Sequence, residues 1–145
     1  MGARRQAREA ALQILYLVDV GKFDLEKAAA ACWTESTLAP RARTFADDLA
    51  RGALENMPLL DGLITKYAEN WELSRMAAVD RNILRLTAYE LLFHVDTPVS
   101  VAIDEAVEIA KTYSTQDSGK FVNGILDKIK LERGKTAPPT PAAKE

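Results

Sequence analysis

The chain has 145 residues, 48% of them hydrophobic and 28% charged, a balance that fits one soluble globular domain with a proper core. Its net charge of −2 provides no global positive field, so nucleic acid would have to be met by a local patch. Cys32 is the only cysteine, which excludes an internal disulfide and a cysteine-cluster metal site and suits a reduced, cytoplasmic setting.

At the N-terminus, Arg4 and Arg5 precede an apolar run from Ala10 to Val18, as in a secretory signal. Glu9 and Gln13 interrupt that run, and Asp19-Val20-Gly21-Lys22 offers no small-residue cleavage site. No stretch reaches the roughly 18 apolar residues of a membrane span, so no membrane partner is expected. The periodicity instead predicts a first helix from about Ala3 to Asp19, with a stripe of Ala3, Ala7, Ala10, Ile14, Leu17 and Val18.

A second helix is predicted from Asp24, its cap, to Trp33. Pro40 opens a third that carries Phe45, Leu49 and Leu54, and Pro58 a fourth through Leu59, Leu60, Leu63, Ile64 and Tyr67. Ser74 is the expected cap of a fifth, from Arg75 to about His94, whose apolar residues run almost all round and mark it as central. Pro98 and Ser100 open a sixth, with Ile103, Ala106, Val107 and Ala110 inward and Asp104, Glu105, Glu108 and Lys111 toward water.

The seventh starts at Asp117 or Ser118 as cap, and Phe121, Val122, Ile125, Leu126 and Ile129 form its stripe. It fades near Gly134, and the Pro- and Ala-rich tail from Lys135 to Glu145 is expected to be disordered. The prediction is therefore an all-α bundle of about seven helices over residues 1–134.

Catalytic and metal chemistry find no support. Gly119-Lys120 is not a phosphate-binding loop: that motif needs glycine at position 114 and Ser or Thr after the lysine, where Ser114 and Phe121 stand. His94 is the only histidine and reads as a charge partner at a helix C-terminus. Asp104, Glu105 and Glu108 read as a solvated face. No metal-ligand spacing, cofactor motif or catalytic constellation emerges.

Two segments carry nucleic-acid chemistry. Arg4, Arg5 and Arg8 come before the first acid, and a helical wheel puts Arg5, Arg8, Leu12 and Tyr16 on one flank, opposite the alanines. Guanidinium groups beside an aromatic ring suit the phosphates and bases of single-stranded RNA. On this segment alone a solvated helix end, with Tyr16 in a second packing layer, is the stronger reading. The other segment places Lys120, Gly119 and Phe121 at a helix N-terminus, where backbone donors favour anions. Tyr113 and Phe121 flank the connection before it. Taken alone, Phe121 reads better as core.

Several blocks nevertheless resemble the NusB family of bacterial transcription antitermination factors. They are Arg4-Arg5-Gln6-Ala7-Arg8-Glu9 with Gln13 and Tyr16, and Asp80-Arg81-Asn82-Ile83-Leu84-Arg85-Leu86 with Tyr89-Glu90-Leu91 and Pro98. Val101 to Lys111 resembles the family's sixth helix, and Asp117-Ser118 through Lys120-Phe121-Val122-Asn123-Gly124-Ile125-Leu126-Asp127 its signature. The resemblance runs over about residues 3–132, in the family's order and spacing.

This resemblance implies two small helical bundles set across one another. It also implies binding of boxA, a short single-stranded RNA element, together with NusE, a small-subunit ribosomal protein, and action on RNA polymerase. It assigns the RNA-binding face to Arg4, Arg5, Arg8, Gln13 and Tyr16 on the first helix and to Tyr113, Asp117, Lys120 and Phe121 on the second segment. Asp80 falls where some members carry an acid near the RNA and NusE surfaces.

Tyr113 stands where phenylalanine is frequent, Gln6 where a third arginine is common, and Gly119 where some members have a larger polar residue. The last two departures imply low affinity for RNA without NusE. Two other readings stay open. One is a free-standing copy of the NusB-like module of ribosomal-RNA cytosine methyltransferases, although the length is expected to leave no room for a catalytic Rossmann domain. The other is a helical scaffold that homodimerises through its first helix.

Overall fold

The computed structural model describes residues 2–34, 36–69 and 71–134. Among these residues the chain forms seven α-helices: α1 (Ala3–Asp19), α2 (Leu25–Trp33), α3 (Pro40–Glu55), α4 (Met57–Tyr67), α5 (Ala78–Phe93), α6 (Val99–Tyr113) and α7 (Gln116–Ile129). Short 3₁₀ turns, Leu73–Arg75 and Lys130–Glu132, precede α5 and follow α7. The expected disordered tail, residues 135–145, lies outside the described residues.

Local chemistry explains most of the helix starts. The Asp24 side chain accepts from the Lys27 amide at 2.8 Å, and Pro40 occupies the first turn of α3. Two expected starts are different. Ser74 caps nothing: Met76 and Ala77 are extended, and α5 begins only at Ala78. The carbonyls of Leu73 and Met76 instead accept from the Arg81 guanidinium at 3.3 and 3.1 Å, which holds the 3₁₀ turn against α5. At α7 the cap is Thr115, not Asp117 or Ser118, and its Oγ1 accepts from the Ser118 amide at 3.0 Å.

α5 is the axis of the molecule. Every residue from Asn82 to Leu92 is buried, and the helix packs against α1, α3, α4, α6 and α7. The contacts group α1–α3 together and α4, α6 and α7 together, with α5 touching both groups, the two small bundles of the expected fold. Small residues let the helices approach. A Cβ added at Gly52 of α3 would lie 2.0 Å from Tyr89 Cζ, so only glycine leaves room for that ring. Tyr89 in turn stacks on Phe93 with centroids 4.9 Å apart.

Charged groups join the elements around the apolar core. Asp19, at the end of α1, accepts from Arg81, Asn82 and Arg85 of α5 at 2.8, 3.0 and 3.2 Å. Arg85 also forks onto Asp61 of α4 at 2.8 and 3.0 Å. Buried and half-buried charges are tolerable here because each is paired and hydrogen-bonded. His94 ends α5 and contacts the Asp48 carboxylate of α3.

Candidate nucleic-acid interface

The arginine flank expected on α1 is not open. Arg8 is 5% exposed and forks onto the buried Glu90 of α5, Nε to Oε1 at 2.9 Å and Nη2 to Oε2 at 2.6 Å. Leu12 is buried beside it. Arg5 is half-buried and paired with Glu105 of α6, with Nη2 to Oε2 at 2.9 Å. That hydrogen bond holds the Arg5 guanidinium above its ordinary range and the Glu105 carboxyl below its own. Glu105 therefore does not belong to a solvated acidic face as expected. The helical wheel misplaced the flank because α5 packs on a second side of α1 and Glu105 of α6 reaches across to Arg5.

Arg4 remains on the surface, with its guanidinium carbon 3.9 Å from the centroid of the Phe45 ring. Gln13 and Tyr16 are exposed as well, and here the structure draws distant segments together. They share with Tyr113, from the end of α6, a groove of about 910 Å³ between α1 and the α2–α3 connection. Tyr16 is 39% exposed and Tyr113 51%, so both rings present faces to solvent. Partial burial, then the neighbouring Glu9 carboxylate, raises the Tyr113 phenol above its usual range.

Around the α6–α7 turn, Asp117 and Lys120 are exposed in the first turn of α7. Phe121 is half-buried, packed against the core and edge-on to Trp71 with centroids 5.5 Å apart. Asp80 is 7% exposed and accepts from Ser118 Oγ at 3.0 Å, while its Oδ1 is buried with no hydrogen-bond partner among the described residues. Asp80 thus faces the α6–α7 turn from beneath. Ser118 Oγ also meets Ser114 Oγ at 2.8 Å, tying the turn together.

Three features escaped the sequence reading. Trp71 is 52% exposed beside Phe121; an aromatic among polar linker residues was the available signal. Lys111 lies across Gly119, and a Cβ there would sit 3.0 Å from Lys111 Cγ. Its ammonium, 3.5 Å from Glu108, joins Lys120 as an exposed cation near the turn, whereas Arg4 lies over Phe45, which packs on His94 at the far end of α5. The α2–α3 connection, finally, supplies Thr34, Ser36 and Thr37 to the groove. Neither of these last two could be read without the packing of helices remote in sequence.

The fold and this face define an all-α binding module, with aromatic rings and amides gathered in one groove and the exposed Lys111 and Lys120 at the α6–α7 turn. The family pattern described as the NusB family matches residues 5–130, and the chain belongs to that family. The transcription antitermination protein NusB of Sorangium cellulosum (strain So ce56) is 45% identical over 135 residues, covering 93% of this chain and 96% of the relative. T. maritima NusB superposes with a TM-score of 0.84 at 46% identity, covering 90% of this chain and 92% of that one. A structure of the antitermination factors NusB and NusE in complex with double-stranded RNA aligns at a TM-score of 0.82 and 28% identity, covering 89% and 96%.

Proposed function

We propose that this chain is a transcription antitermination factor that binds boxA single-stranded RNA together with NusE, and acts on RNA polymerase during ribosomal RNA transcription without catalysing a reaction. The observation that carries the proposal is the meeting of Gln13 and Tyr16 with Tyr113 in one groove, beside a turn that exposes Asp117 and Lys120. The relative crystallised with NusE and RNA supports both partners.

In this reading Tyr16 and Tyr113 stack on bases, and Gln13 and Asp117 meet base edges. Arg4, Lys111 and Lys120 neutralise phosphates. Arg5 and Arg8 are held by Glu105 and Glu90 and act by fixing α1; Asp80 acts through Ser118, and Phe121 through Trp71. Because carboxylates of the same chain already cover Arg5 and Arg8, a homodimer is not needed to hide an arginine face. Among the described residues no helix is long and apolar enough to cross a membrane.

Fluorescence anisotropy with labelled boxA, a scrambled strand and a boxA duplex, each with and without NusE, tests the proposal. boxA single strand should bind most tightly, more so with NusE, and three neutralised phosphates give a log–log salt slope of about −2. Equal binding of boxA and the scrambled strand in both conditions would refute it.

A further inference from the structure

The α2–α3 connection is given no RNA contact in the reading above, yet its Thr34, Ser36, Thr37 and Leu38 form one wall of the groove. Its chemistry is selective. Gln6 and Gln13 present amides, each both donor and acceptor, and Thr37 adds a hydroxyl. Ala10, Leu12 and Val79 supply apolar surface between them. Among the described residues that line the groove there is no lysine or arginine, and the one charged side chain is Glu9.

A phosphate entering here would meet the Glu9 carboxylate on the groove lining, and like charges at close range repel; the cation that reaches the wall, Arg43, is turned to the Ser36 carbonyl at 3.4 Å. A nucleobase is the opposite case. It is neutral, has two flat faces for Tyr16 and Tyr113, and carries an edge of donors and acceptors that amides, a hydroxyl and a carboxylate can match. Resting on the RNA reading above, we infer that this groove is a nucleobase slot. It takes one unstacked base of the bound strand between α1 and the α2–α3 connection and discriminates bases without touching phosphate. The Arg4, Lys111 and Lys120 side chains lie outside the groove lining, so backbone contact and base contact are spatially separate.

The sole cysteine gives a direct test, because Cys32 lines the groove with Sγ 3.8 Å from Gln13 Oε1. Burial raises its thiol above the usual range, so N-ethylmaleimide is applied at about pH 8.5. Bound boxA RNA should slow the alkylation. The alkylated protein should bind boxA on the order of tenfold more weakly with an unchanged salt slope, since one stacked base is lost and no cation. In a series of boxA strands with one abasic nucleotide each, one position should weaken binding to the unmodified protein and not to the alkylated one.

Unchanged affinity after alkylation, or a slope shallower by about 0.7, the signature of a lost phosphate contact, overturns the slot. If alkylation lowers the melting temperature, Gln6→Ala and Thr37→Ala, both at exposed positions, replace it in the same cycle. Additive effects of these variants with every abasic position overturn the slot equally. If the unmodified protein binds none of the strands, the RNA reading itself falls, a result distinct from loss of the slot alone.

Discussion

Arg8 and Glu90 are both almost wholly buried and face each other through two hydrogen bonds, so removing either leaves a buried charge without its partner. Arg8→Ala should lower stability by about 3–5 kcal/mol in urea titration, and Arg8→Met with Glu90→Leu should restore most of that. An Arg8→Ala protein of normal stability but weak, less salt-dependent RNA binding would return Arg8 to the phosphates. Tyr16 gives the contrasting case. It is partly exposed, so Tyr16→Ala should cost about 1–3 kcal/mol of boxA affinity with little change in melting temperature. A fall in melting temperature with affinity intact would place the ring in the core.

At the scale of elements, two contacts set how helices start and cross. Thr115 accepts the Ser118 amide, and Thr115→Ala should remove about 1 kcal/mol of stability through the lost cap. Gly52 sits under the Tyr89 ring, so Gly52→Ala should force α3 and α5 apart and cost about 2–3 kcal/mol. Equal melting temperatures for the wild type and Gly52→Ala would mean that the crossing adjusts freely. Helix order and the central burial of α5 were legible in the sequence because apolar periodicity is a short-range pattern. The starts of α5 and α7 were not. Ser74, Asp117 and Ser118 all have capping chemistry, and Arg81 and Thr115 won through contacts that propensity does not contain.

For the molecule as a whole, carboxylates link the bundles, and this makes stability depend on pH. Burial alone would raise Asp19, but hydrogen bonds from Arg81 and Asn82 outweigh it and the carboxyl ends below its ordinary 3.8. The Arg5 hydrogen bond similarly holds Glu105 below 4.5. Groups with depressed folded-state values contribute stability that is present above the ordinary value and lost as pH falls through the depressed one. Thermal stability should therefore decline as pH drops below about 4.5, and Glu105→Gln should weaken that dependence. An unchanged acid profile in Glu105→Gln would show that the Arg5 contact does not hold α1 on α6.

The sequence by itself determined the seven helices and the buried α5, since each rests on spacing within one segment, and the family, through a series of blocks in order along the chain. It also brought Tyr16, Gln13 and Tyr113 into view as candidate RNA groups. Only the tertiary structure decided which charges are available. A helical wheel registers neighbours on the same helix, whereas the partners of Arg5 and Arg8 come from α6 and α5, and Lys111 reaches the α7 turn across Gly119. The same holds for the groove, whose wall from the α2–α3 connection exists only once α1 is packed. Pairing and concavity are properties of distance in space, and sequence separation does not encode them.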